Sequence, residues 1–331
     1  MNSQMNNPIK LLRFTFDKEM QSVDRLLNKY MTSVSTPIIS ELSNHLFNAG
    51  GKRVRPLLTI ASAKLCDYSG DSHIKLAAAI EFIHSATLLH DDVVDESEKR
   101  RGKPTANFLW NNQSSVLVGD YLFSKSFQLM VEAESLDVLS ILADASATIS
   151  EGEILQLSAV KNLNTSEEVY YKIIEGKTAA LFEAAAMVGA IISKVEPDFV
   201  KALKNYGRYL GLCFQLTDDL LDYVGDEKSL GKKIGDDFRE GKLTLPLIKA
   251  IEKSTLKEKK FFKNAIKRNS TCDESLEEAL FIMEKYETLD FTRKKAIDFS
   301  KKASDSLTVF SDSNLKTTLK SLTCYIVSRI N

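Results

Sequence analysis

The chain has 331 residues, enough for one large domain or two ordinary ones. Its 44 Lys and Arg residues balance 45 Asp and Glu, so it lacks the net field that would favour nucleic acid or a strongly charged partner. Four cysteines, Cys66, Cys213, Cys272 and Cys324, lie apart without CxxC spacing and read as buried or incidental thiols of a reducing compartment.

Met1 to Lys18 is polar and has no apolar core of the secretory kind, and residues 1–20 are a candidate disordered lead. Only 14 Gly and 6 Pro punctuate the rest, which argues for long helices. Spacing by three and four predicts helices over Pro37 to Phe47, Pro56 to Leu65, and a run through Leu76, Ile80, Ile83 and Thr87 to Asp91. Further helices are predicted over Ser115 to Glu132, Leu136 to Gln156, Ser166 to Ile192, Pro197 to Tyr223 and Leu243 to Ile251, with three or four amphipathic helices beyond Lys257. Loops are expected at Gly50-Gly51, Gly70, Lys99 to Pro104, Lys161 to Thr165 and Gly225 to Gly241. The longest apolar stretch, Thr178 to Ile192, is interrupted by Glu183 and too short to span a bilayer. The charged runs after Lys253 read as solvated helix faces. With no repeat and no shift in composition, one all-α domain over 1–331 is the simplest account, in a cytoplasmic protein with no stable membrane insertion.

Two acidic pentads stand out: Asp91-Asp92-Val93-Val94-Asp95 and Asp218-Asp219-Leu220-Leu221-Asp222. The outer carboxylates of each are one helical turn apart on one face. Like charges so placed destabilise a helix by a few tenths of a kcal/mol, roughly, unless a cation lies between them. Carboxylate oxygens with no companion Cys or His select a hard ion, usually Mg²⁺, which completes its shell with water and substrate phosphates. A lone Asp-Asp pair more often marks a solvated helix face. Here, however, each pentad follows an apolar helical run and precedes a basic loop: Arg100-Arg101-Gly102 after the first, Gly231-Lys232-Lys233 and Gly241-Lys242 after the second. The pattern reads as a diphosphate held by Mg²⁺ between two helices.

His84 lies two turns before Asp91, where a lone histidine on an apolar helix is ordinarily a satisfied core residue. Gly50-Gly51-Lys52-Arg53-Val54-Arg55-Pro56 gathers three cations at the start of a helix and is a candidate second phosphate site; a solvated basic loop is the other reading.

These segments together resemble the trans-isoprenyl diphosphate synthases. The resemblance runs in order through Gly51-Lys52-Arg53-Val54-Arg55-Pro56, Phe82-Ile83-His84, the first pentad to Gly102, Lys177-Thr178, Phe214-Gln215 to Asp222, and Gly235-Asp236-Asp237-Phe238-Arg239-Glu240-Gly241-Lys242. The wording around both pentads is most similar to the bacterial octaprenyl diphosphate synthases that make the ubiquinone side chain. The resemblance implies a bundle of long antiparallel helices around a central substrate tunnel. It also implies Asp91, Asp95, Asp218 and Asp222 as ligands of three Mg²⁺ ions, with Asp92 and Asp219 supporting the shell and Mn²⁺ as an alternative ion. Arg100, Lys177, Lys232 and Lys242 would contact the allylic diphosphate. Lys52, Arg55, His84 and Arg101 would hold isopentenyl diphosphate, and the oxygens of Thr178 and Gln215 would face the allylic cation. The released diphosphate is the favoured base, so no protein base is assigned.

Product length would follow the depth of the apolar pocket beneath Asp91. Ala86 and Thr87 stand where short-product members of the family tend to carry an aromatic ring. Five residues of helix add about 7.5 Å of depth, and Ile83, Ile80 and Leu76 continue the wall. Phe123, Phe127 and Met130 are candidate floor residues, although core packing explains them equally well. The resemblance further implies a homodimer, a lipophilic product, and farnesyl diphosphate as primer. Competing readings are a geranylgeranyl diphosphate synthase, disfavoured by Ala86, a non-catalytic partner subunit, disfavoured by the intact pentads, and a metal-binding scaffold, which leaves the basic clusters unexplained.

Overall fold

A computed structural model describes residues 7–225, 234–267 and 273–330. The chain is all-α. In order, the first helices are α1 (Pro8–Thr15), α2 (Asp17–Met31), α3 (Pro37–Asn48), α4 (Val54–Leu65) and α5 (Ser72–Val94). Then come α6 (Ala106–Leu109), α7 (Asn112–Val131), α8 (Leu136–Ala159), α9 (Glu167–Ile174), α10 (Ala180–Ile192) and α11 (Pro197–Val224). They are followed by α12 (Asp236–Glu240), α13 (Leu245–Lys253), α14 (Leu256–Lys267), α15 (Asp273–Lys285), α16 (Thr288–Ser306) and α17 (Asn314–Val327). Contacts sort the chain into two compact units. The first draws on Met1–Ser146, Leu181–Gly207 and Leu307–Leu322, and the second on Ala147–Ala180, Arg208–Ser306 and Thr323–Asn331.

In the first unit α5 packs against α2, α4 and α7. Leu76, Ile80, Phe82, Ile83 and Leu89 are completely buried on it, and a helix apolar nearly all round is stable only when enclosed. Truncating Ile80 or Leu89 to Ala would therefore cost about 2–5 kcal/mol. Gly119 on α7 makes room for the His90 imidazole of α5; a Cβ on that glycine would stand 2.3 Å from its Nε2.

The disordered lead expected over residues 1–20 is corrected for residues 8–20. Asn7 caps α1, its Oδ1 accepting from the amides of Ile9 at 3.0 Å and Lys10 at 3.3 Å, with Pro8 at the first turn. Ile9, Leu12, Phe16, Met20, Val23 and Leu27 then bury one continuous stripe.

Two expected loops also differ. Lys99 to Pro104 forms a hairpin with β1 (Lys99–Arg100) paired to β2 (Lys103–Pro104). Arg101 and Gly102 make its turn with φ of 52° and 76°, the left-handed pair that matches strand twist. Within Gly225 to Gly241, the short α12 forms between Gly235 and Gly241, both left-handed.

In the second unit α13 buries Leu245, Leu247, Ile248 and Ala250 against α9, α15 and α16. The helix expected to run unbroken from Ser166 to Ile192 is interrupted by a π-helical turn over Glu175–Ala179. The reason is a close approach to α8. A Cβ on Gly176 would lie 2.8 Å from the Thr148 carbonyl oxygen, and one on Gly152 would lie 2.7 Å from the Lys177 amide nitrogen. Only glycines allow these backbones to touch, and the widened turn re-aims Lys177 and Thr178.

Candidate active site

Both pentads fall at helix ends that carry no basic residue in the last turn. Asp95 is the C-cap of α5, and Asp218 to Asp222 lie in the final turns of α11. Carboxylates there face the negative end of the helix dipole, the reverse of the favourable arrangement. Such ends call for an external cation.

In the first unit, Asp92 is 2 % exposed and its Oδ1 accepts from Arg100 Nε at 2.9 Å and Nη2 at 2.8 Å. Asn107 donates to the Asp92 carbonyl at 3.1 Å and to that of Ser97 at 3.2 Å, fixing the backbone beyond α5. The middle carboxylate thus positions an arginine, while Asp91 and Asp95 remain partly solvent-accessible.

Beside α5 lies a crowd of guanidinia. Arg53, left-handed at φ 51°, caps α4, pairs with Glu81 at 2.5 Å and lies 4.5 Å above the Phe47 ring. Arg55 stacks 4.4 Å from Phe182, and Gly51 admits the Arg101 guanidinium, whose Nη1 would lie 3.0 Å from a Cβ. Lys52 is exposed. Burial first, then the charges of Arg55, Arg101, Arg100 and Arg53, hold His84 well below the ordinary histidine range. It is neutral at pH 7, with one N–H to donate. Four guanidinia gather here, Arg53 held by Glu81 and Arg100 by Asp92, and such a crowd of cations is suited to an anion.

The second unit holds a hydrogen-bonded chain. Thr178 Oγ1 donates to Gln215 Oε1 at 2.7 Å, Gln215 Nε2 donates to Asp219 Oδ1 at 2.7 Å, and Tyr170 Oη donates to Asp219 Oδ2 at 2.6 Å. Burial first, with Asp218 and Asp222 repelling, pushes Asp219 up to about 6 against the opposing pull of Tyr170 and Gln215. Lys177 pairs with Glu153 at 2.8 Å and Lys242 with Glu240 at 2.7 Å. Asp222 is completely buried and accepts the Asp237 amide at 3.0 Å on Oδ2. Tyr170, Lys177, Thr178, Gln215, Asp219 and Lys242 line one pocket.

Among the described residues no three His, Cys, Asp or Glu side chains already converge on a metal position. Mg²⁺ needs none, since one or two carboxylates and substrate phosphates suffice. The all-oxygen donors of Asp91, Asp95, Asp218 and Asp222, crowded at the negative ends of their helices, fit that ion.

The other expected residues fall as follows. Lys232 lies outside the described residues. Ala86 is 1 % exposed and aligns with completely buried Ile83, Ile80 and Leu76 on α5, while Thr87 is half-buried. Met130 is buried, and Phe127 is 38 % exposed with its ring edge-on to Phe123 at 5.1 Å. Tyr170, Glu153 and Glu81 carry no sequence signal for the roles that the structure gives them. Tyr170 is seven residues before Lys177, a same-face spacing, but the π turn between them hides its relation to Asp219.

An all-α chain with carboxylates crowded at two helix ends and arginines crowded beside α5 is of the class that works on metal-bound diphosphates. The chain belongs to the polyprenyl synthetase family, which residues 36–283 match, and it is a trans-polyprenyl diphosphate synthase. It is 42 % identical to octaprenyl diphosphate synthase of Haemophilus influenzae, covering 95 % of this chain and 94 % of the relative. The same enzyme of Escherichia coli is 42 % identical over 94 % of this chain and 96 % of the relative. The structure is similar to a decaprenyl diphosphate synthase from Rhodobacter capsulatus, with TM-score 0.94 and 50 % identity over 98 % of this chain and 99 % of that one. A polyprenyl synthase from Caulobacter crescentus, complexed with calcium and isoprenyl diphosphate, gives TM-score 0.93 and 46 % identity over 98 % of each chain.

Proposed function

We propose that this synthase extends farnesyl diphosphate with successive isopentenyl units to all-trans octaprenyl diphosphate for a quinone side chain. The observation that carries the chain length is the small, buried Ala86 above Ile83, Ile80 and Leu76, an apolar column without an aromatic ring. The similarity to octaprenyl diphosphate synthases supports the number of units; the similarity to a decaprenyl diphosphate synthase favours ten as the second reading.

Asp91, Asp95, Asp218 and Asp222 are the residues that would hold Mg²⁺, three ions in all, with Mn²⁺ able to substitute. When bound, the ion neutralises charge on the departing diphosphate. Asp92 keeps Arg100 extended toward the same anion, and Glu153 steadies Lys177. Lys52, Arg55, His84 and Arg101 bind the isopentenyl diphosphate by charge-assisted hydrogen bonds. Because Thr178 gives its hydroxyl hydrogen to Gln215, it presents lone pairs to the positive charge left when the allylic C–O bond breaks. The isopentenyl double bond supplies the electron pair of the new C–C bond, and the proton lost goes to the released diphosphate.

We also read the enzyme as a homodimer. Leu117 and Val131 on α7 are 67 % and 65 % exposed, an apolar face suited to a second copy of itself. No helix of the described residues is long and apolar enough to cross a membrane. The proposed place of action is the cytoplasm, and the product is itself lipophilic. The test is incubation with farnesyl and labelled isopentenyl diphosphates, with Mg²⁺ or EDTA, followed by dephosphorylation and chromatography. Octaprenol is expected. A product ending at geranylgeraniol would overturn the chain length, and no product from the purified chain would indicate a partner subunit.

A further inference from the structure

We infer that Arg329 is a placeholder cation at Asp218, displaced when a divalent ion loads the second pentad. Arg329 belongs to the 3₁₀ turn Ser328–Ile330 that follows α17. Its Nη1 lies 3.0 Å from Asp218 Oδ1, and its guanidinium stands 5.8 Å from the centre of the Phe214 ring. The turn is anchored by buried Ile330, whose carbonyl accepts from Arg293 Nη2 at 3.5 Å. The final turn of α11 has three carboxylates near it and no basic residue, so a distant segment supplies the compensating charge.

An inner-shell Mg²⁺ sits about 2.0–2.1 Å from its ligand oxygen. A divalent ion that close stands only a few ångströms from the guanidinium, and the repulsion between the two cations, with the carboxylate charge now shared, favours departure of the arginine. Loading metal therefore breaks the Asp218–Arg329 pair and frees the Ser328–Ile330 turn, and the pair in turn lowers affinity for metal alone. Arg329 is thus a positioning residue that acts through Asp218, and the inference rests on the reading of the pentads as metal ligands.

The test titrates Mn²⁺ alone into the full chain, followed by its paramagnetic resonance signal. Arg329→Gln should bind Mn²⁺ about two- to fivefold more tightly than the natural protein, the range expected on losing a partly exposed ion pair, and Arg329→Lys should restore the weaker affinity. Equal or weaker binding by Arg329→Gln overturns the inference. No Mn²⁺ binding by the natural protein, either alone or with inorganic diphosphate present, would instead sink the metal reading itself. Hydrogen exchange gives a second measurement that does not depend on Arg329→Gln folding. Amides of residues 325–330 should exchange faster on adding Mg²⁺, and as fast in metal-free Asp218→Asn. Exchange unmoved by either change refutes the displacement.

Discussion

The Tyr170 hydroxyl donates to Asp219 at 2.6 Å, closing a carboxylate that is only 4 % exposed. This bond opposes the burial that pushes Asp219 up to about 6. Since the folded value exceeds the unfolded value near 4, the protonated group contributes stability that is fully present below about pH 4 and lost as pH rises through about 6. In EDTA the melting temperature should fall between about pH 4 and 6. Asp219→Asn should flatten that fall, and Tyr170→Phe should move it to higher pH. The same slope in all three proteins would assign the titration elsewhere.

The glycine contact beneath the π turn is the next test. Gly176→Ala must push the turn off α8, because its new methyl meets backbone at 2.8 Å and 2.9 Å. The cost should be about 1–3 kcal/mol, read in thermal or denaturant unfolding, and kcat should fall with it because Lys177 moves. A variant as stable and active as the natural enzyme would mean that α8 can yield.

Ala86→Phe places a ring one turn or so below Asp91. Product should shorten to three or four isoprene units while Mg²⁺ dependence and the first condensation survive. Chromatography of the dephosphorylated product decides; a folded, active variant still making full-length chains would put the growing chain elsewhere.

Arg55→Ala and His84→Ala should raise KM for isopentenyl diphosphate more than KM for the allylic substrate if, as proposed, both belong to the metal-free receptor. Initial rates with each substrate varied in turn measure this, and equal effects would reassign the two residues.

Asp91→Ala and Asp218→Ala should each lower turnover by about 10³-fold or more with helicity by circular dichroism unchanged, because each removes charge stabilisation needed as diphosphate departs.

Much of this was legible in sequence because it is periodic or local. The α5 stripe from Leu76 to Asp91 and the spacing within each pentad follow from helical geometry alone. Three features were not. The π turn arises from Gly152 meeting Gly176, a contact between residues far apart in the chain. Tyr170 and Asp219 pair across distinct helices, with no spacing rule to join them. The lead helix was missed for a different reason: Asn7-Pro8 and the stripe from Ile9 to Leu27 were present, but a polar average over residues 1–18 masked a one-sided pattern. Phe127 shows the limit of spacing in the other direction, since a helix position says which residues share a face but not whether anything covers it.

The receptor around His84 has a practical side. With imidazole neutral and guanidinia crowded about it, the receptor attracts by charge density more than by shape, so any compact polyanion will compete there. Sulfate and phosphate buffers should act as inhibitors against isopentenyl diphosphate, and inorganic diphosphate from each turnover should linger. Sustained synthesis then depends on a separate hydrolysis that clears it, and purification in a chloride or acetate buffer is the way to meet this enzyme with its receptor open.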